Sequence, residues 1–266
     1  MDLKSKVQAA CGYFTQKMYR LCPDVSTGFC GLHYVRLFSN TPMSDKQAEI
    51  KAIIQRVEET LETAKHGLSD LLDPSRTRWR TGLRNLITFG RSVTFVIQNL
   101  RGVRDVDFDS WYEPHQTAMK ADPLMRYFVD ARNELEKQGK LSVATSTHIK
   151  SFSSSDIRKF GRPPVGAQRF FIGDTLGGTG WEVELADGTT EKYYVDLPAS
   201  IGEVKQQFTN FPAAKAPELA GKSVEELCTM YIDKLQELVT RAKSHFLEEP
   251  EQPKPARSRS HLRVVK

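Results

Sequence analysis

Two long amphipathic helices are predicted early in the chain by apolar residues spaced three and four positions apart. The first stripe consists of Ile50, Ile53, Ile54, Val57, Leu61, Ala64, Leu68, Leu71 and Leu72. Ser44 and Gln47 form a capping box where this helix begins, and Asp73-Pro74 ends it. The second stripe runs from about Thr77 to Leu100, and Gly102 ends the helix. Because only a few residues join the two helices, we predict that they pack antiparallel.

Two further helices are predicted before the pattern changes. One extends from Asp109 to about Lys120. The other extends from Pro123 to Gln138, with Asp122 as its N-cap and Gly139 as the residue that ends it. Each helix carries an apolar stripe that must be buried against another element, so we expect a bundle of about four helices.

After Leu141 the apolar and polar residues alternate, which predicts strands. The predicted strands are 143–149, 168–172, 181–186 and 190–196. Asp187-Gly188 joins the last two, and this dipeptide favours a hairpin with a type I′ turn. The glycine-rich residues 173–180 lack the Lys-Ser/Thr of a phosphate loop, so we interpret them as a flexible hairpin connection. These elements predict a small antiparallel sheet of three or four strands.

Helical patterns return after the strands. We predict a short helix at about Ile201–Phe208 and a long helix that begins at a capping box formed by Ser223 and Glu226. The apolar stripe of the long helix extends to Phe246, and we expect it to pack on the sheet or on the bundle. Residues 153–164 are interpreted as a loop.

The predicted fold class is α+β, mostly helical, with a helical bundle followed by a small antiparallel sheet with flanking helices. Four parts are predicted: a poorly organised N-terminal extension (1–43), the helical bundle (44–140), a β-rich segment closed by a long helix (141–248) and a disordered basic tail (249–266). Met43 directly precedes the first helix, and we hypothesise that it is the biological start.

The net charge of +5 does not by itself indicate a nucleic-acid partner, because it is concentrated at the ends. Residues 1–42 carry +3 and residues 250–266 carry +4, so the part between them is close to neutral. No run of 18 apolar residues occurs, and the first residues lack the apolar core of a secretory signal. We therefore expect a cytoplasmic protein that does not bind a membrane.

Neither a metal nor a cofactor is predicted. Cys11, Cys22, Cys30 and His33 offer four zinc ligands, but their spacing matches no common zinc finger. The six histidines form no H-x3-H or H-E-x2-H pair. A structural zinc stays an alternative to unmodified free thiols, which we expect.

One predicted helix carries a short motif that is similar to that of a known family. The stretch Tyr127–Lys137 contains Arg132 and Asn133 in an arrangement that resembles the signature of the HEPN superfamily. These proteins are small helical bundles common among prokaryotic toxin and defence ribonucleases. The family motif continues with a His further along the helix, whereas Lys137 stands at the corresponding place here. The resemblance covers this one helix of the bundle.

The resemblance implies that an RNA phosphate is bound by Arg132, Asn133 and Lys137. In the family the His exchanges a proton during cleavage, and an ordinary lysine does not do so near neutral pH. Binding without cleavage is therefore expected as readily as nuclease activity, and whether the protein is an enzyme stays open. The alternative is that Arg132 forms an i,i+4 ion pair with Glu136 on a solvated helix face.

The basic tail offers a second group of cations. Arg257, Arg259 and Arg263 are predicted to contact nucleic acid with an affinity that falls as salt rises, or else to aid solubility. The first functional hypothesis is a HEPN-like, nucleic-acid-associated protein of toxin or defence type, with RNA and a second copy of the chain as partners. The alternative hypothesis is a non-enzymatic protein–protein interaction module.

Overall fold

The computed structural model describes residues 45–247. Its first elements are α1 (Asp45–Leu72), α2 (Trp79–Val96), a 3-10 helix (Ile97–Gly102), α3 (Phe108–Ala121) and α4 (Pro123–Gln138). The predicted helices are confirmed, and α4 has the predicted bounds because its signals are local. The Asp122 carboxylate caps its first turn, and Gly139 adopts the left-handed conformation after its last. The Ser44 cap, the N-terminal extension and the basic tail lie outside the described residues.

Five strands and a long helix follow within the described residues. β1 (Val143–Ile149) pairs antiparallel with β5 (Gly202–Phe208). β2 (Ala167–Ile172), β3 (Thr179–Glu184) and β4 (Thr190–Val195) form a separate antiparallel sheet in sequence order. The last described element is α5 (Val224–Leu247). The predicted α+β class, with helices followed by small antiparallel sheets and a C-terminal helix, is confirmed.

A single hydrophobic cluster joins the helices of the bundle to α5. The capping box of α5 is present, because the Ser223 amide donates to Glu226 at 2.7 Å and the Glu226 amide donates to Ser223 Oγ at 3.1 Å. Phe128 of α4 and Tyr231 of α5 stack with ring centroids 4.0 Å apart. Phe208 of β5 belongs to the same cluster. The long helix therefore returns to the bundle, which is one of its two predicted placements.

Helices α1 and α2 approach each other closely at two glycines. A Cβ atom on Gly82 would lie 2.6 Å from the carbonyl oxygen of Gly67, and one on Gly67 would lie 2.7 Å from that of Gly82. Neither position has room for a side chain. The two backbones therefore pack directly against each other, which fixes the side of α2 that faces away from α1.

A buried carboxylate orders the connection between β2 and β3. Asp174 accepts hydrogen bonds from two backbone amides of its own loop, from Lys192 Nζ and from the Tyr194 hydroxyl. Arg76, which follows α1, donates to the carbonyl of Leu176 in the same loop. The hairpin connection predicted here is present, and these bonds tie it to the turn between α1 and α2.

The short helix predicted at Ile201–Phe208 is wrong. The segment is strand β5, in which Gly202, Gln206 and Phe208 are buried. The residue pattern of so short a segment is ambiguous between helix and strand, and pairing with β1 supplies the backbone hydrogen bonds that decide it.

Two predicted connections also differ in detail. A type I′ turn requires a positive φ at both central residues, yet Gly188 has a φ of +81° and Asp187 is not among the described residues with positive φ. The Gly188 amide donates to the carbonyl of Leu185, so Ala186 and Asp187 are the central residues of the turn. Gly188 is its last residue and adopts the left-handed conformation. The predicted loop 153–164 contains a 3-10 helix (Ser154–Phe160).

Among residues 45–247, no helix combines the length and apolar character needed to cross a membrane.

Candidate nucleic-acid interface

Positive charge is concentrated in and around α2. The segment from Pro74 to Arg104 contains seven arginines and no aspartate, glutamate or lysine. Four of these form ion pairs with carboxylates outside the segment: Arg76, Arg78, Arg101 and Arg104. The other three have no carboxylate partner among the described residues: Arg80, Arg84 and Arg91. Their charges are therefore uncompensated within the described part of the chain.

The three uncompensated arginines lie on one side of α2. At about 100° per residue, positions 80, 84 and 91 fall within about 40° of one another. Arg80 and Arg84 are exposed, and Arg91 is half-buried. At about 1.5 Å per residue their Cα atoms extend over roughly 16 Å of the helix. A row of this length matches several phosphates of a polymer better than it matches one small anion.

The C-terminal end of this row meets an exposed aromatic ring. Phe95 has 45 % of its surface exposed. The guanidinium carbon of Arg91 lies 4.3 Å from the ring centroid, and that of Arg132 on α4 lies 5.8 Å from it. Both distances are in the range of cation–π contacts. We call the following residues the arginine face: Arg80, Arg84, Arg91, Phe95 and Arg132.

Helix α4 runs antiparallel along this side of α2. Arg84, near the start of α2, donates from Nη2 to the carbonyl oxygen of Gly139 at 2.7 Å, just beyond the end of α4. Near the end of α2, Phe95 instead meets Arg132, which lies one turn or more before the end of α4. The two helices therefore present one continuous surface, and α4 contributes Arg132 to it.

The structure separates the residues predicted to bind phosphate. Arg132 makes the i,i+4 ion pair with Glu136 at 2.7 Å that was predicted as the alternative. Asn133 is half-buried and Lys137 is exposed. Five positions along an α-helix correspond to about 140°, so Lys137 does not share the side of α4 that carries Arg132. Arg132 is therefore brought to Phe95 and not to Lys137, and phosphate binding by the three residues stays a prediction.

The resting position of Arg132 leaves one donor unsatisfied. Its Nε atom is buried and has no hydrogen-bond partner among the described residues. Its ion pair with Glu136 is partly exposed, and pairs of this kind stabilise a protein by only about 0–1 kcal/mol. An unsatisfied buried donor and a weak pair both lower the free energy needed to move the guanidinium to another acceptor.

The chemistry of the arginine face is binding and not proton transfer. A guanidinium group has several N–H donors in a planar fork, and it matches the oxygens of a phosphate in two parallel hydrogen bonds. A guanidinium group offers donors and no acceptor near neutral pH, so it cannot act as a general base. The five residues of the face therefore supply charge, hydrogen bonds and one aromatic ring.

Two signals point to this face, and only one is readable in the sequence. The run of arginines without acidic residues between Pro74 and Arg104 is visible once charge is counted segment by segment. The net charge of the whole part between the two basic ends hides this run, because acidic residues elsewhere cancel the charge of its arginines. The contact of Arg132 with Phe95 joins residues from two helices, and helix periodicity contains no information on it.

The other predicted sites lie elsewhere. Arg257, Arg259 and Arg263 of the basic tail are outside the described residues, as are Cys11, Cys22, Cys30 and His33. Within residues 45–247, no group of three or more His, Cys, Asp or Glu side chains is arranged to hold a metal ion.

Part of the chain is similar to a known family. A family model described as Bacteriophage lambda protein ea47 matches residues 42–159, less than half of the chain. No curated protein and no solved structure matches. The matched residues include all of α2 and α4, and thus the helix on which the HEPN resemblance was based. The resemblance to the HEPN superfamily is therefore wrong, and a ribonuclease or a defence role inferred from it loses its basis.

Proposed function

We propose that the protein binds single-stranded nucleic acid along the arginine face and does not cleave it. The observation that carries the proposal is the row formed by Arg80, Arg84 and Arg91, three guanidinium groups on one side of α2 without carboxylate partners in residues 45–247. Contacts between arginine and phosphate supply most of the sequence-independent affinity for nucleic acids.

The aromatic end of the face favours an unpaired strand. Bases of a single strand can stack on an aromatic ring or on the plane of a guanidinium group, whereas bases inside a duplex cannot. Arg91 lies over the Phe95 ring at 4.3 Å, so both kinds of surface are offered at one place. A strand that follows the row of arginines would reach this pair with its bases turned toward α4.

Arg132 extends the face to a second helix. A phosphate that approaches Phe95 would compete with Glu136 for the guanidinium group of Arg132. Because a phosphate carries a full negative charge and several acceptor oxygens, it would replace a partly exposed carboxylate at little cost. In this proposal Arg132 keeps the phosphate-binding role predicted from the sequence, while Asn133 and Lys137 are not needed for it.

The proposal is tested by fluorescence anisotropy with a labelled single-stranded RNA and the matching DNA. The double variant Arg80→Gln/Arg84→Gln removes two cations that are exposed and form no ion pair with described residues. Each phosphate contact contributes about −0.7 to the slope of log K against log salt for a single strand. We therefore expect the double variant to bind more weakly and its slope to be less negative by roughly 1.4.

A control double variant separates a specific face from general charge. Arg169→Gln/Arg241→Gln makes the same change in net charge at exposed positions on β2 and α5. We expect it to bind like the wild type between about 50 and 200 mM salt. If both double variants weaken binding equally, or if the wild type binds no strand at low salt, the arginine face is not a nucleic-acid site. Shortened RNA on a denaturing gel would contradict the absence of cleavage.

The exposed aromatic residues of α2 favour a second candidate, a non-enzymatic interaction module that pairs with another copy of the chain. Phe89 and Phe95 expose 38 % and 45 % of their surface, and aromatic and arginine side chains are enriched at protein interfaces. Light scattering discriminates the candidates. A dimer held by apolar contacts persists at high salt and is lost in Phe89→Ser/Phe95→Ser, whereas a monomer that binds strands only at low salt favours the first candidate.

A further inference from the structure

A cleft of about 530 Å³ opens between α2, α3 and α4, next to the arginine face. Arg91 lines the cleft as well as the face, and Tyr231 of α5 forms part of its floor. Pockets that hold small organic ligands have volumes of about 300–1,000 Å³. The cleft is therefore large enough for a ligand of nucleotide size.

Two tyrosines on the floor have unused hydroxyl groups. Tyr112 and Tyr231 are only 3 % and 1 % exposed. Neither hydroxyl has a hydrogen-bond partner among the described residues, and neither is among the fully buried atoms that lack one. Each hydroxyl therefore keeps some accessible surface, and both side chains line the cleft. A ligand in the cleft is offered two hydrogen-bonding groups that the described part of the chain leaves unpaired.

The ring of Tyr231 is held rigidly. One face stacks on Phe128 with the planes inclined by 8°. On another side a Cβ atom at Gly90 would lie 2.6 Å from Cε1 of the ring, so only glycine leaves room for it there. A hydroxyl fixed in this way loses little conformational entropy when it binds a ligand, which is the physical basis of preorganisation.

Both phenols are hydrogen-bond donors at neutral pH. Burial raises the pKa of Tyr231 and of Tyr112, and the nearby positive charge of Arg91 offsets only part of this rise. The hydroxyls therefore keep their protons, and the floor of the cleft is uncharged.

The rim of the cleft is cationic, and its walls combine apolar side chains with the polar side chains of Thr94, Gln98 and Gln116. Arg91, Lys120 and Arg126 line it against a single carboxylate, Asp130. Arg126 is exposed and has no ion-pair partner in the described part of the chain. The walls include Met119, Met125 and Val129, and methionine side chains adapt to flat apolar surfaces. The ligand that this combination favours has an anionic group at one end and a planar body with polar edges.

We infer that the cleft binds a nucleotide. The phosphate is held by Arg91 and Arg126, the base lies between Met119 and Met125, and the tyrosine hydroxyls bond to polar atoms of the base or the sugar. A free nucleotide and the terminal nucleotide of a strand share this chemistry. The inference goes beyond strand binding along the arginine face and does not require it, although Arg91 belongs to both sites.

The inference is tested by titration calorimetry of the full chain with AMP, inorganic phosphate and adenosine. AMP is expected to bind more tightly than either of its parts, because only AMP occupies both rim and floor. Tyr112→Phe/Tyr231→Phe keeps both rings and removes both hydroxyls, and it should bind AMP more weakly by about 3- to 10-fold per hydroxyl. The control Tyr193→Phe alters a tyrosine that is 56 % exposed on β4, and it should bind like the wild type.

Three results would overturn the inference: no heat with AMP at millimolar concentration, equal affinity for phosphate and AMP, or unchanged AMP affinity in the variant without the two hydroxyls. Arg80→Gln/Arg84→Gln separates this site from the arginine face, since neither residue lines the cleft. This variant should bind strands more weakly and keep AMP binding, and loss of AMP binding would also refute the cleft as the site.

The source of the nucleotide is distinguished by competition. An RNA strand with a 5′-phosphate and the same strand with a 5′-hydroxyl are each titrated against bound AMP. Displacement by the phosphorylated strand alone supports the end of a strand as the ligand. Absence of displacement by both strands supports a free nucleotide. Equal displacement by both would contradict a site for a terminal phosphate, and it would assign the effect to the arginine face.

Discussion

Replacing Gly82 by alanine should push α1 and α2 apart at their crossing and destabilise the protein. A Cβ atom at this position would lie 2.6 Å from the carbonyl oxygen of Gly67, 2.8 Å from the amide nitrogen of Leu71 and 2.8 Å from Cβ of Asp70. Two of the three atoms belong to the backbone of α1, which cannot rotate away as the end of a side chain can. The helices must therefore move apart, and apolar contacts on both sides of the crossing lengthen.

Two opposing free energies set the size of the effect. Alanine stabilises a helix relative to glycine by about 1 kcal/mol. Overpacking a close-packed site destabilises by about 1–3 kcal/mol, and the rigid backbone at this crossing favours the upper end of that range. We therefore expect Gly82→Ala to lower the free energy of unfolding by about 1–2 kcal/mol, the difference between the two effects.

Urea unfolding followed by circular dichroism measures the change. Gly102→Ala is the matched control, because no atom lies within 4 Å of a Cβ atom built there, and its stability should stay within about 0.5 kcal/mol of the wild type. Gly67→Ala/Gly82→Ala should cost less than the sum of its single changes, since the first methyl group already separates the helices. A Gly82→Ala protein as stable as the wild type would refute a direct backbone contact at this crossing.

Three other changes test further parts of the structure. Asp174→Asn should destabilise by about 2 kcal/mol in urea, because the carboxylate loses charge-assisted hydrogen bonds. Burial raises the pKa of Asp174, but its hydrogen bonds outweigh burial and bring the pKa below its usual value. The ionised carboxylate therefore stabilises the fold above the unfolded pKa, and this stabilisation is lost as pH falls through the folded pKa. Burial and Arg241 lower the pKa of His115, so stability should fall as pH falls through the ordinary histidine pKa, and His115→Gln should flatten that part of the profile. Asp122→Ala removes the cap of α4 and an ion pair with Lys234 and should cost about 1–2 kcal/mol in thermal unfolding, whereas Asp122→Asn, which keeps a capping oxygen, should cost less.

The parts of the fold that were predicted correctly have local causes. α4 is bounded by Asp122 and Gly139, whose side chain and backbone conformation act within one turn of the helix end. The capping box of α5 is equally local. β5 was predicted wrongly because its backbone hydrogen bonds go to β1, more than fifty residues earlier in the chain. No signal within the segment reports a partner at that distance.

The same distinction applies to the candidate sites. Arg132 was identified by a motif of two residues, but its neighbour Phe95 lies on another helix, and the motif belonged to a family that does not match. The cleft proposed to bind a nucleotide combines side chains of four helices, and Tyr231 reaches it only because α5 returns to the bundle. An amphipathic stripe assigns Tyr231 to the core and cannot reveal that its hydroxyl finds no hydrogen-bond partner within residues 45–247.

The arginine row is unfavourable for the stability of α2, and this is an argument for its role in binding. Arg80 and Arg84 are at i,i+4, where like charges destabilise a helix by about 0.2–0.5 kcal/mol. The chain has ample carboxylates for such positions, because it places them three or four residues from a cation at Glu62–Lys65, Arg132–Glu136, Asp156–Lys159 and Glu237–Arg241. On the exposed side of α2 none is used. An anionic partner would remove the repulsion when it binds, so the free energy given up in the unbound protein becomes part of the affinity.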